Sequence, residues 1–366
     1  SYTEVGSPIT QTGITPGTVT DPMSGGVINP ISTYPYPDFK PERTKSYEVG
    51  INARFLNGRI SFDGTFYQSN TYNQTFLSVM SPATGYSGFY VQAGNVRNRG
   101  VEMTLGYNDT FGKVNYSTHL TYTANQNKIV EMVHDYRNPI DNSLVNITEL
   151  TLKEAGDVYL REGYSMSDVF TTGILQRGRD GKLVEEGNGY QVDRSQRIRL
   201  GSADPDFTMG WRHDINYKNI SLGLMITGRF GGIVTSQTQA FMDAFGVSKV
   251  SAEARDNGGV MLDGHRYDAE RYYNTVGGQG LMSYYTYDAT NVRLQELSLT
   301  YSLPKKWLGD VFNNAPISFV GLNLFMFYRK APFDPDMNGS TGTYNRSDFF
   351  MAPSLRNLGF SIKFSL

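Results

Sequence analysis

Four histidines, His119, His134, His213 and His265, are the only imidazoles in this sequence, and no two stand at a spacing that would bring them onto one metal ion. His119 falls on the polar side of an alternating stretch, between Ser117 and Thr121, with no Asp or Glu beside it on the strand to orient the ring as a catalytic base requires. It reads as polar surface. Asp334, Asp336, Asn338 and Gly339 match the opening of a calcium loop, D-x-D-x-N-G, and are the one metal-site candidate; the twelfth position is Asn345, where that loop needs a bidentate Glu, so an Asx-type turn competes. The absence of cysteine excludes disulfide frameworks, thiolate nucleophiles and Cys-ligated zinc, and no phosphate loop or dinucleotide fingerprint is present. No catalytic residue and no cofactor is expected, apart from structural calcium in that loop.

Aromatic residues offer a different chemistry. Tyr86, Phe89 and Tyr90, then Tyr272, Tyr273, Tyr284, Tyr285 and Tyr287, then Tyr344, Phe349 and Phe350 fall in stretches without strand period. Aromatic faces stack on the apolar faces of sugar rings and pack against peptides at small entropic cost. They are candidates for contact with a ligand, although outer-leaflet aromatic girdles and packing against a partner protein use the same residue types at the same height and are the stronger reading.

The elements that must position these side chains are strands. With 25 Tyr, 21 Phe and 39 Gly beside 15 Pro, the composition suits aromatic-rich strands and Gly-rich loops. A net charge of −2 and a pI near 6.1 give no reason to expect nucleic acid. Mean hydropathy is −0.40, and the longest apolar candidate, residues 317–328, is too short to span a bilayer as a helix, which needs about 18 residues. The first residues, Ser1 to Gly6, show neither an initiator Met nor a signal-peptide pattern, so the chain is expected to begin inside a longer protein.

Residues 1–40, rich in Thr, Gly, Pro and Ser, read as a long loop. Alternation then begins. Tyr47, Val49, Ile51, Ala53 and Phe55 oppose Glu48, Gly50, Asn52 and Arg54; Asn57-Gly58 marks a turn, and Ile60, Phe62, Gly64 and Phe66 follow. Similar strands are predicted over 101–107, 114–122, 207–215, 220–226, 292–303, 317–328 and 356–366, with a short local strand at 168–176 and polar loops elsewhere, including 231–290. In the last of them Leu358, Phe360, Ile362, Phe364 and Leu366 form an apolar stripe against Gly359, Ser361, Lys363 and Ser365.

Nine strands result, and their connections alternate without exception between short (near Asn57, Asp109, Lys218 and Pro304) and long (from Thr71, Gln126, Gly231 and Ala331). Outer-membrane barrels alternate in this way, with short periplasmic turns and long outer loops. The predicted fold is therefore all-β, a transmembrane antiparallel β-barrel with long extracellular loops. Nine is odd, whereas a single-chain bacterial barrel has an even number, so closure is expected to need strands outside this chain.

Specific residues carry a family likeness. Lys40-Pro41-Glu42-Arg43-Thr44-Lys45-Ser46-Tyr47-Glu48-Val49-Gly50 and Gly94-Asn95-Val96-Arg97-Asn98-Arg99-Gly100-Val101-Glu102 resemble two signature stretches of the SusC/RagA family of TonB-dependent outer-membrane transporters. Arg161-Glu162-Gly163-Tyr164, residues 201–205, 293–304 and Phe333-Asp334-Pro335-Asp336 follow in the family's order. The resemblance implies strands 14 to 22 of a 22-stranded barrel over residues 41–366, with 1–40 an extracellular loop. It implies integral residence in the Gram-negative outer membrane and active import of an oligosaccharide or a peptide beneath a SusD-like surface lipoprotein, powered by TonB-ExbB-ExbD through an N-terminal plug. It also implies that Phe360, Ile362, Phe364 and Leu366 resemble the C-terminal signal read by the barrel-assembly machinery. A barrel enzyme, a passive porin and a siderophore or cobalamin receptor are the competing classes.

Overall fold

The computed structural model describes residues 33, 39–79, 88–137, 143–152, 158–309, 311–336 and 347–365. They fall into two compact units, one made of the described residues within 1–48, 67–100 and 126–168, the other of those within 49–66, 101–125 and 169–366. All nine predicted strands are present and form one sheet: β1 (Arg43–Phe55), β2 (Ile60–Tyr72), β3 (Asn95–Phe111), β4 (Val114–Glu131), β5 (Phe207–Tyr217), β6 (Ile220–Phe230), β7 (Asn291–Ser302), β8 (Pro316–Arg329) and β9 (Asn357–Ile362). Strand order in the sheet is chain order, and the sheet is open, with β1 and β9 at its edges. The short connections are residues 56–59, 112–113, 218–219 and 303–315; the long ones are 73–94, 132–206, 231–290 and 330–356.

Turn chemistry explains the tight ends. Asn57 and Gly58 take φ of 58° and 85°, left-handed values that Asn and Gly tolerate best, and the Gly58 N–H closes on the Phe55 carbonyl at 3.1 Å. Register then sorts the faces. From β4 to β9 every pair is antiparallel, and one row across six strands reads Tyr116, Ile215, Leu222, Leu299, Phe319, Phe360. The adjacent row, one residue along, reads Asn115, Asn216, Ser221, Thr300, Ser318, Ser361. One row is wholly apolar and its neighbour wholly polar, because a strand's period of two sends neighbouring rows to opposite faces. The apolar face stays exposed: Val49 and Leu358 keep 69% and 65% of their surface. A soluble sheet would cover such a face, whereas lipid covers it in a barrel wall.

The structure corrects several element boundaries. β4 continues to Glu131, well beyond the alternating stretch that ends near Tyr122. β9 ends at Ile362 instead of running to Leu366, because β8 opens at Pro316, which has no N–H to offer, and only its carbonyl is used, by the Lys363 N–H at 3.2 Å. Ser365 bridges Asn314 beyond that point. Phe360, Ile362 and Phe364 remain exposed on this terminal segment; Leu366 lies outside the described residues.

The larger correction concerns residues 231–290, expected as an irregular loop. They fold into α1 (Gln237–Ala244), α2 (Lys249–Asp256) and α3 (Ala269–Val276), each with a side-chain N-cap: Ser236 accepts from Gln239 N, Ser248 from Ser251 N and Asp268 from Arg271 N. Ile233–Ser236 pairs with Thr286–Asp288 on one side and, in parallel, with Ser347–Asp348 on the other. The short strand expected at 168–176 is present as Asp168–Leu175 and pairs with Val192–Ser202. In the other unit, hairpins Gln74–Val79 with Gly88–Ala93 and Val133–Arg137 with Leu144–Ile147 accompany a core that includes Val91, Val96, Ile129, Met132 and Leu160.

Candidate functional site

The polar face of the sheet carries a charged group held in place by its own strand geometry. On β5, Arg212 donates to Asp214 through Nε (2.9 Å) and Nη2 (3.0 Å), a bidentate pair, and its Nη1 lies 3.7 Å from Glu296 on β7. Residues 212 and 214 share a face by alternation. Gly223, opposite Asp214 on β6, leaves the space: a Cβ there would stand 3.3 Å from Asp214 Oδ1 and 2.5 Å from Ser298 Oγ. His119 sits in register with Arg212 on this same face, and His213 points to the apolar face, where Tyr116 Oη lies 2.8 Å from its Nδ1.

Where β5, β6 and β7 enter their long loops, a cleft of about 440 Å³ opens, lined among others by Arg199, Asp204, Asp206, Gly232, Tyr287 and Asp288. Gly231 and Gly232 have φ of 74° and 76°, and a Cβ on Gly231 would overlap the Asp206 carboxylate, so this chain path requires glycine. Its lining combines the Asp204, Asp206 and Asp288 carboxylates with the Arg199 guanidinium and the Tyr287 hydroxyl. Asp288 is partly engaged, accepting from Lys330 Nζ at 2.7 Å.

Above the strand ends, residues 169–206 and 231–290 share a core containing Leu175, Leu183, Tyr190, Tyr267, Tyr272, Tyr273, Val276, Leu281 and Tyr285. The Leu175 N–H donates to Tyr284 Oη (3.0 Å), the Leu183 N–H to Tyr267 Oη (3.1 Å) and the Tyr190 N–H to Thr275 Oγ1 (3.0 Å). This corrects part of the aromatic candidate list. Tyr272, Tyr273 and Tyr285 are buried, at 7%, 8% and 3% exposure, and serve as core. Tyr287 is half-buried, edge-on to Phe333. Burial, then the Asp243 carboxylate, pushes the Tyr287 hydroxyl up to about 12. Burial raises Tyr272 and Tyr285 likewise, so all three stay neutral.

Phe349 and Phe350 are exposed and form an aromatic triad with Phe241 of α1, at centroid distances of 6.1, 5.8 and 5.3 Å. Phe245 and Val247, just after α1 in sequence, are exposed at 77% and 70%. In the first unit Phe89 packs on Tyr136 and Tyr90 on Phe39, all partly accessible. Tyr86 and Tyr344 lie outside the described residues.

The calcium-loop candidate resolves differently. Arg293 Nη2 lies 2.9 Å from Asp334 Oδ1 and 2.6 Å from Asp336 Oδ2, so a guanidinium occupies the position a cation would take between these carboxylates; Asn338 lies outside the described residues. Burial alone would push the Asp334 carboxyl up, but hydrogen bonds from Ser354, the Asp336 N–H and Arg293 outweigh it and hold it below the usual carboxylate range. For Asp288 burial is likewise outweighed by Lys330 and Thr290. Both groups have lowered folded values, so their stabilisation is complete above the unfolded value of about 3.9 and is lost as pH falls through the folded ones. Limited proteolysis of the outer loops should accordingly give a constant pattern from about pH 8 to 5 and faster cleavage below about pH 4.

The signature stretches form a hydrogen-bonded layer in the first unit. Asn70 donates to Asn95 (2.9 Å), Asn127 to Asn98 (2.9 Å) and Arg99 to Gln126 (2.7 Å), while Asn73 Nδ2 donates to the Pro41 carbonyl (3.1 Å) and Gly94 N–H to that of Met132. Arg97 and Gly100 lie on β3 among them, with Glu102 exposed further along; Glu42, Arg43, Tyr47 and Glu48 are exposed at the start of β1. Gly163 and Tyr164 dock on β4 through Ile129, whose N–H donates to the Tyr164 carbonyl at 2.8 Å.

Residues 1–227, more than half of the chain, match the family described as TonB dependent receptor-like, beta-barrel. The chain belongs to this family. TonB-dependent receptor P3 of Formosa agariphila is 25% identical over 371 residues, a match covering 94% of this chain and 36% of the relative. TonB-dependent receptor P26 of the same organism is 25% identical over 321 residues, covering 82% and 32%. The chain thus spans about a third of the length of these curated relatives. Among solved structures, the RagAB peptide transporter superposes with a TM-score of 0.64 at 16% identity, covering 91% of this chain and 36% of that one. The RagAB peptide importer in its open-open state gives 0.63 at 18% identity, covering 92% and 36%. The fold is that of a TonB-dependent receptor barrel, and the family resides in the outer membrane. The apolar rows of β4 to β9 are therefore its lipid-facing surface, and the Arg212–Asp214–Glu296 group lines its lumen.

Proposed function

We propose that this chain is the C-terminal part of the barrel of an active outer-membrane importer of the SusC/RagA type, residues 41–366 supplying strands 14 to 22 and residues 1–40 an extracellular loop. Its cargo is an oligosaccharide. The observation that supports this cargo is the cleft of about 440 Å³ at the outer strand ends, lined by the Asp204, Asp206 and Asp288 carboxylates, the Arg199 guanidinium and Tyr287, groups suited to hydrogen-bonding and stacking on a sugar. The exposed Phe241, Phe349 and Phe350 patch is the contact for a SusD-like surface lipoprotein, since aromatic clusters on outer loops suit a protein lid. Import draws on TonB-ExbB-ExbD through a plug in the remainder of the whole protein, and no bond is made or broken.

A second reading, a peptide cargo, is favoured by one observation: the solved relatives of like fold are named as a peptide transporter. Deleting the TonB-contacting segment of the whole protein should abolish growth on one scarce polymer while small sugars remain usable; unchanged growth would overturn active import. In a strain that keeps the TonB-contacting segment, Asp206→Asn with Tyr287→Ala should reduce glycan binding about tenfold, as loss of a charge-assisted hydrogen bond and a stacking face implies. Selective loss of peptide uptake would favour the second reading.

A further inference from the structure

The two ends of the sheet differ in charge as well as in loop length. The four long connections, residues 73–94, 132–206, 231–290 and 330–356, hold 23 acidic and 16 basic residues. The four short ones hold five basic residues, Arg59, Lys113, Lys218, Lys305 and Lys306, and one acid, Asp310. Every short turn thus carries a cation, and all four belong to the same compact unit. Among the described residues only Arg59 has a carboxylate partner, Asp109 at 3.5 Å; Lys218 Nζ lies 5.2 Å over the Tyr217 ring, and Lys305 Nζ donates to the Phe312 carbonyl. The cations are exposed.

Their neighbours fix the direction they face. Phe55 and Tyr217 end the apolar stripes of β1 and β5, Ile220 begins that of β6, and Phe111 closes β3 beyond Asp109; all four apolar residues are exposed, as are Trp307 and Phe364 beside the fourth turn. A cation one or two residues beyond an outward-facing aromatic stands where hydrocarbon gives way to headgroups, with an aromatic body in the interface and an ammonium just outside it. A soluble protein partner would need a shaped, enclosed patch. What the turns present is a series of separate exposed cations, the ammonium groups of Lys113, Lys218, Lys305 and Lys306 and the Arg59 guanidinium, each close to the end of a strand.

We propose that the short-turn rim is a binding surface for anionic glycerophospholipid headgroups, with Lys113, Lys218 and Lys306 as the phosphate-contacting groups and Phe111, Tyr217 and Trp307 packing at the acyl boundary. The partner is recognised by charge complementarity: a negatively charged headgroup is attracted to these turns and repelled by the acidic outer loops. The proposal rests on the barrel fold and not on the cargo, so failure of either leaves the other standing.

Native mass spectrometry of the detergent-purified full-length protein, incubated with phosphatidylglycerol or phosphatidylethanolamine of matched acyl chains, tests it. Wild type should retain phosphatidylglycerol preferentially. Lys113→Gln/Lys218→Gln/Lys306→Gln should lose at least about fivefold of that retention, the factor one interfacial cation contributes, while Lys182→Gln/Lys249→Gln in the outer loops should lose none. Equal retention by the triple variant and wild type, equal loss in the outer-loop control, or no preference for phosphatidylglycerol would overturn the proposal. Should the triple variant lose the heat-modifiable gel mobility of a folded barrel, wild type alone decides. Raising salt from about 0.1 M to about 1 M shortens the Debye length from about 10 Å to about 3 Å, and retention indifferent to that change would also overturn it.

Discussion

Arg in place of Leu299 is expected to destabilise the folded barrel by about 1–2 kcal/mol, less than the roughly 2–4 kcal/mol a cation costs at mid-depth, because Leu299 stands one apolar row inside the Tyr217–Ile220–Tyr301 row at the headgroup boundary. Arg in place of Thr300, the next residue, is expected to cost far less. The contrast follows from register: Leu299 stands in the apolar row with Leu222 and Phe319, Thr300 in the polar row with Ser221 and Ser318. Leu299 keeps 49% of its surface exposed, so in a soluble protein a charged residue there would be harmless or favourable. Only a lipid environment makes the more exposed position the costly one. Urea titration in liposomes, read by heat-modifiable gel mobility, measures both variants, and the reverse order would remove the membrane assignment of this face.

The second large effect is expected at Arg293. Its guanidinium, buried with Asp334, ties β7 to the segment after β8, and Arg293→Met leaves the Asp334 carboxylate inside without a cation. Breaking one side of a buried pair costs about 3–5 kcal/mol, most of it the penalty of the stranded charge. The more exposed Asp336 adds little to that figure, because solvent screens it. Arg293→Met combined with Asp334→Asn and Asp336→Asn should therefore recover much of the loss. Proteolysis of the loop between β8 and β9 reports the local part of the effect. If the triple variant cleaves as fast as the single one, the stranded-charge account fails.

The sheet was legible because a strand in a barrel wall must alternate. Tyr47 to Phe55, Phe207 to Ile215 and Leu358 to Ile362 display the period of two openly, and Asn57-Gly58 and Lys218-Asn219 sit where the chain reverses. What escaped was the outer architecture. α1, α2 and α3 have eight residues each, shorter than the window over which helical period is read. A signal was nevertheless present in α3, where Ala269, Tyr272, Tyr273 and Val276 follow i, i+3, i+4, i+7 and, with Thr275, are the residues the structure buries. The same spacing separates core tyrosines such as Tyr272 from accessible aromatics such as Phe349 and Phe350, which composition alone could not do. The Asp334 pair was misleading for another reason: its partner, Arg293, lies 41 residues away in sequence, and a local motif does not record distant partners.

The outer core also constrains the order in which the molecule is assembled. Its two contributors, residues 169–206 and 231–290, flank the β5–β6 hairpin, and the bonds joining them, such as Leu183 N–H to Tyr267 Oη, bridge 84 positions. A two-residue turn closes its hairpin in roughly microseconds, whereas a closure of that length carries a larger entropic cost and gains nothing until both segments are near. The hairpin must therefore be laid down first, and the tyrosine core acts as a clasp that fastens afterwards over a finished pair of strands. Protection of the Leu183 amide from exchange would then mark the time at which β5 and β6 are already in place.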